Sequence, residues 1–221
     1  MQRLLKNQSL VLFIQLLVFT LTASSASALT VGFSCITAGQ ATNCATAETQ
    51  LTVEVTDLGG GQLLFDFMNA GPLASSIADV YFDDGTLLGI AGLIDMDDNA
   101  LGYYGDAGVD FSQGASPLNL PGGNAIGFET TAGFLADSDP AVSINGINPG
   151  EMLGVVFNLQ AMGTYADILA ELTNGDLRIG IHVQSFANGD SVSLVNVPVP
   201  EPGVATLLGL GLTALAARRR V

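Results

Sequence analysis

The sequence predicts an all-β domain, its strands forming a two-sheet sandwich of jelly-roll type with one short helix; a one-sheet barrel is the alternative. Three observations carry this. Apolar and polar residues alternate with a period of two in several segments, as at Leu51, Val53 and Val55 against Thr52, Glu54 and Thr56. Turn-forming residues recur at short intervals between these segments, with 27 glycines in 221 residues. Hydrophobic residues make up 48% of the chain and charged ones 12%, which provides a core that a disordered acidic coil lacks.

The chain opens with Arg3 and Lys6, an apolar stretch from Leu10 to Leu21 interrupted by Gln15, and the small residues Ala26-Ser27-Ala28. This is the layout of a secretory signal peptide over residues 1–28, with an apolar part too short for a span of ~20 residues, so cleavage is expected near Ala28. The chain is then exported across a bacterial inner membrane into an oxidising compartment. There the two cysteines, Cys35 and Cys44, are expected to form a disulfide closing a small loop, with free thiols as the alternative. With a single histidine in the chain they offer no four-ligand metal set.

Residues 29–197 form the predicted domain. Glu48 to Asn69 reads as a hairpin, its first strand carrying Leu51, Val53 and Val55 and its second Leu63, Phe65 and Phe67, with Asp57 to Gly61 as the turn. Ile77 to Phe82 is a third strand, and Leu87 to Ile94 a fourth weakened by Gly89 and Gly92. Gly114 to Gly123, with Pro117 and Pro121, is a long surface loop. Ala125 to Phe134 and Glu151 to Gln160 are further strands, separated by the turn-rich run Ala136 to Gly150. Thr164 and Asp167 form a capping box, and Tyr165, Ile168, Leu169 and Leu172 share one face of the single helix, closed by Asn174-Gly175. Asp176 to Phe186 and Ser191 to Val197 make a closing hairpin around Asn188-Gly189, with Leu177, Ile179, Ile181 and Val183 facing inward.

Five of the six basic residues lie in the terminal segments, leaving Arg178 against 20 acidic residues between Leu29 and Pro200, a net charge of about −19. Such a domain attracts cations and repels nucleic acid, whose phosphates need clustered Lys and Arg. His182, through which any serine or cysteine triad must pass, is placed on an outer strand face and read as exposed and incidental, and Arg178 as pairing with a nearby carboxylate. Asp95, Asp97 and Asn99 fall at positions 1, 3 and 5 of a calcium-loop count, with Asp106 at position 12. Ala100 stands where the sharp turn wants Gly, and Asp106 where a bidentate Glu is expected, so an irregular calcium loop is weighed against an ordinary acidic turn. No other cofactor is expected. An acid pair across a cleft would be needed for a secreted hydrolase, and the sequence singles out none.

The tail, residues 198–221, combines Pro200-Glu201-Pro202, an apolar run from Gly203 to Ala217 and the arginines Arg218, Arg219 and Arg220. As a helix the run is ~22 Å long, a marginal transmembrane segment whose arginines would stay cytoplasmic and stop translocation. A plain anchor leaves Pro200-Glu201-Pro202 unexplained. The three parts together resemble the PEP-CTERM sorting tail of Gram-negative, exopolysaccharide-producing bacteria. That resemblance implies recognition by exosortase at Pro200, Glu201 and Pro202, transient anchoring in the inner membrane by 203–217, a stop at Arg218 to Arg220, and cleavage near Glu201. It further implies a cell-surface or extracellular protein associated with exopolysaccharide or biofilm. The segment from Thr164 to Val197 is more diffusely similar to the β-rich domains that precede such tails, which also occur on proteins described as ice-binding. The expected function is accordingly non-enzymatic, with a ligand-binding module for carbohydrate, calcium or ice as one alternative and a secreted hydrolase as another.

Overall fold

The computed structural model describes residues 28–83, 87–102, 104–131, 135–160 and 162–197. Nearly all of the expected signal peptide, and the whole tail with Pro200, Glu201, Pro202, Arg218, Arg219 and Arg220, lie outside the described residues.

The described chain is mostly β: ten strands, every neighbouring pair antiparallel, in the order β5-β8-β3-β2-β1-β10-β9-β4-β7-β6. In chain order these are β1 (Ala28–Cys35), β2 (Leu51–Gly59), β3 (Gln62–Asn69), β4 (Ser76–Asp83), β5 (Leu87–Ile94), β6 (Phe111–Gln113), β7 (Leu135–Ser138), β8 (Met152–Leu159), β9 (Arg178–Gln184) and β10 (Val192–Asn196). Three helices accompany them, α1 (Ala41–Gln50), α2 (Val142–Asn145) and α3 (Tyr165–Asn174), with a 3-10 turn at Gly123–Ile126. The two expected sheets are joined into one. Residues 28–32 of β1 pair with β2 and residues 33–35 with β10, so the strand belongs to both halves and forms the corner at which the sheet folds over. The free edges also approach, and Gln113 Nε2 on β6 donates to the Ile90 carbonyl on β5 at 2.8 Å.

The folded sheet encloses the core. Phe82 from β4 packs edge-on against Phe65, Phe67 and Phe157 from the opposite half, with centroid distances of 5.3, 6.0 and 4.7 Å. Each such ring pair adds ~0.5–1.5 kcal/mol to the burial itself. The alternating residues fill their predicted places: Val53, Val55, Leu63, Phe65 and Phe67 are buried in the hairpin, as are Leu177, Ile179, Ile181 and Val183 near the end of the domain. The predicted fourth strand is present as β5, pairing with β8 through two register shifts beside Gly89 and Gly92.

The capping box at Thr164 forms as expected. Asp167 N donates to Thr164 Oγ1, Thr164 N donates to Asp167 Oδ2 at 2.8 Å, and Gly175 closes the helix in the left-handed conformation. Ile168 and Leu172 enter the core, and the Tyr165 hydroxyl donates to the Val55 carbonyl.

Other expectations need correction. In the segment expected to be a strand from Ala125 to Phe134, the described residues begin in a 3-10 turn and continue as irregular chain to Thr131. β7 lies just beyond, in a stretch read largely as turns. Cys44 sits on a helix rather than in a loop. That helix, α1, buries Asn43, Ala47 and Gln50, a face without the apolar residues that periodicity detects. Gln50 instead anchors the connection to β4, its Oε1 accepting from Leu73 N at 2.8 Å and its Nε2 donating to Leu73 O at 3.0 Å and Ser75 Oγ at 3.1 Å.

The long loop 114–123 and the chain after it lie on the outer face of β9 and β4. Leu120 and Phe128 pack there with Tyr81, Leu135 and Val195 in a second, smaller core. Gly180 makes the close approach possible, since a Cβ at that position would lie 2.7 Å from Leu120 Cδ2 and 3.0 Å from Phe128 Cζ. The Tyr81 hydroxyl donates to Pro117 O at 3.1 Å, and Arg178 holds the far side by pairing with Asp83 and donating to the Ile126 and Gly127 carbonyls. The predicted carboxylate partner of Arg178 is therefore Asp83, and its guanidinium also lies over the Phe128 ring, 5.3 Å from the centroid.

Candidate functional site

Beside this roofed patch, four polar residues stand in one row across four strands. Ser193 on β10 faces His182 on β9, His182 faces Asp79 on β4, and Asp79 faces Asp137 on β7. Their sequence neighbours Ile181, Val183, Val80, Ala136 and Leu194 point into the core, so the alternation of each strand turns all four to the outer face. His182 Nδ1 lies 2.9 Å from Asp79 Oδ2, with the His182 side chain 13% exposed and that of Asp79 4%. The reading of His182 as exposed is thereby corrected, because the imidazole is largely buried and held by a buried carboxylate, while its place on the outer strand face stands.

Asp137 shares a hydrogen bond with Asp79. Its carboxyl is pushed up to about 6, by burial first, then by that hydrogen bond and the Asp79 charge; a hydrogen bond from the Ser116 backbone acts in the opposite direction. Burial and the same two carboxylates raise the Tyr81 hydroxyl. A carboxylate only accepts, so Asp79 directs a proton onto His182 Nδ1 and leaves Nε2 as the nitrogen available to a further partner.

The imidazole lines a cavity of about 330 Å³ between the outer face of β9 and β10, the segment Ile36–Ala38 and the turn Pro121–Ala125. Its polar wall carries Thr37, His182, Ser191 and Ser193, and its apolar wall Ile36, Pro121 and Ala125. Two hydrogen bonds fix the wall: Ser193 N donates to the Thr37 side-chain Oγ1 at 2.8 Å and Ile36 N to Ser193 O at 2.9 Å.

The acidic loop after β5 is arranged differently from a calcium-loop count. Asp95, Asp97 and Asp98 bring carboxylate oxygens within 4.8 Å of one another. Asp106, the expected twelfth position, does not join them. Asn99 bridges back to Ile94 through the backbone, and Asp106 Oδ2 accepts from Met152 N at 2.9 Å. Asp95 is fully buried and serves the fold, Oδ1 accepting from Asp97 N and Asp98 N, and Oδ2 from Phe111 N at 2.9 Å. Partial burial and the charges of Asp95 and Asp97 raise Asp98, and burial with the Asp139, Asp97, Asp95 and Asp98 charges raises Asp110.

A second acidic pair lies on the outer face of the other half, where Glu54 on β2 directly opposes Asp66 on β3. Asp66 is pushed up to about 6, by burial first and the Glu54 charge second. At the start of the domain Cys35 and Cys44 are joined in a disulfide with a Cα–Cα distance of 5.4 Å, well within the range that the bond requires.

Sequence reasoning named His182 but not its partners. Asp79 lies 103 residues away in the chain and carries no local signal, and the row exists only through strand register. Comparison of the chain with models of known families, with curated proteins and with solved structures gave no match.

Proposed function

We propose that this chain is an exported, exosortase-sorted protein of the PEP-CTERM kind, acting without catalysis at the cell surface or in an exopolysaccharide matrix. The observation that carries this reading is the Cys35–Cys44 disulfide, which joins the corner strand β1 to α1. Such bonds persist in oxidising compartments, as expected of a chain with a signal peptide over 1–28 and a sorting tail over 198–221. Removal of residues 1–28 would cost β1 only its first residue. The large negative charge of the domain supports solubility outside the cell and argues against nucleic-acid partners. The folded sheet is read as a jelly-roll-like sandwich, since early strands pair antiparallel with late ones: β1 with β10, β3 with β8 and β4 with β9.

A hydrolase reading is less well supported by the acidic pairs. Two-carboxylate glycoside hydrolysis needs the groups ~5–10 Å apart across the scissile bond. Asp79 and Asp137 are instead directly opposed on adjacent strands, β4 and β7. Glu54 and Asp66 are cross-strand neighbours on a sheet face.

Mass spectrometry of the protein from its native envelope tests the sorting. A mature chain beginning near Leu29 and ending near Glu201 is expected. An intact Arg218 to Val221 end on the surface protein refutes exosortase processing.

A further inference from the structure

We propose that the cavity floored by His182 binds a single neutral, hydroxyl-rich ring, a sugar unit, with His182 Nε2 and the hydroxyls of Thr37, Ser191 and Ser193 as its polar partners. The cavity is built rather than incidental. Asp79, itself buried, holds the imidazole at 2.9 Å through Nδ1, and Asp137 stands directly across from Asp79 on the neighbouring strand. A carboxylate on one ring nitrogen fixes both the tautomer and the ring orientation of a histidine. At about 330 Å³ the space is at the small end of ligand clefts, enough for one ring.

Chemistry narrows the class. Hydroxyls donate and accept, and an imidazole nitrogen with its partner anchored does one or the other, which together match the alternating donors and acceptors of a polyol. Ile36, Pro121 and Ala125 supply the apolar wall against which the C–H face of a ring can lie. Anions are disfavoured. No Lys or Arg lines the cavity, Arg178 is committed to Asp83, and the surrounding domain is strongly negative. A metal is disfavoured too, since the wall presents one imidazole and no carboxylate to the cavity. The surface-protein reading enters only in naming exopolysaccharide as the source of the sugar.

His182 is the only histidine in the chain, so its imidazole signals in a proton–carbon NMR spectrum are unambiguous. The full chain in a detergent without a sugar head group is titrated in turn with D-glucose, D-galactose, N-acetyl-D-glucosamine and inorganic phosphate. At least one sugar is expected to move the His182 signals with a Kd on the order of 1 mM, as suits a small ligand, while phosphate does not. His182→Ala should weaken binding tenfold or more, read by saturation transfer to the sugar. Ala125→Trp, at the exposed rim, should abolish binding without touching the core, and it decides the question if the histidine variant misfolds. Silence of the His182 signals at saturating sugar, equal response to phosphate, or undiminished binding by Ala125→Trp would each overturn the proposal. Because binding is read on the purified chain and sorting on the envelope protein, either can fail while the other stands.

Discussion

Replacing Asp66 with Asn is expected to stabilise the domain at neutral pH. Asp66 is half-buried on the outer face of β3, directly opposite Glu54, and its carboxyl rises from 3.8 to about 6. A folded-state pKa above the unfolded value means that the native chain holds the proton more tightly, so stability falls as pH rises from about 4 to about 6 and stays low above that. At 1.36 kcal/mol per pH unit, the ceiling is about 3 kcal/mol. Solvent screening of a half-exposed group reduces this to about 1 kcal/mol. Urea unfolding of wild type and Asp66→Asn at pH 7.5, 5.5 and 4.0 measures it. The variant should be more stable by about 1 kcal/mol at pH 7.5, with the advantage shrinking through pH 5.5 and vanishing near 4. Because burial outweighs the Glu54 charge, Glu54→Gln should recover less than half of that gain. An Asn variant that is neutral or destabilised at pH 7.5, or an advantage that does not vary with pH, would refute the reasoning.

Three further perturbations test other parts of the fold. Cys35→Ser with Cys44→Ser opens a loop of sequence separation 9 and should lower stability by about 2–3 kcal/mol, with wild type in reductant melting at the same temperature as the variant. Gly180→Ala places a Cβ against Leu120 and Phe128 and should cost about 1–3 kcal/mol, and limited proteolysis should then cut faster within residues 114–131. Unchanged proteolysis in that variant would mean that the loop is not seated through Gly180. Thr164→Ala removes one half of the α3 capping box and should cost about 1 kcal/mol in urea unfolding, whereas Thr164→Ser should retain most of it.

The boundary between what was legible and what was not follows the range of the interactions. Period-two alternation and turn chemistry are local, so the hairpin of β2 and β3, the closing pair β9 and β10, and the capped helix α3 could be read from neighbouring residues. β6 and β7 were missed because three- and four-residue strands are too short to show a period. α1 was missed because its buried face is made of Asn, Ala and Gln, with Gln50 bonded to the connection at Leu73 and Ser75 and Asn43 to Asn188. The calcium-loop count assumed a regular spacing, and the fold instead turned Asp98 toward Asp95 and Asp97 and gave Asp106 to the Met152 amide.

By itself the sequence determined the β class, the inward positions of most strands, the cysteine pair and the strongly acidic character of the domain, all set by residue type and near spacing. Only the tertiary structure decided that β1 joins both halves into one sheet, and that Ser193, His182, Asp79 and Asp137 stand side by side. The physical reason is register: which residue of one strand meets which residue of another depends on long-range pairing, across 103 positions of chain for Asp79 and His182, and no local period encodes it.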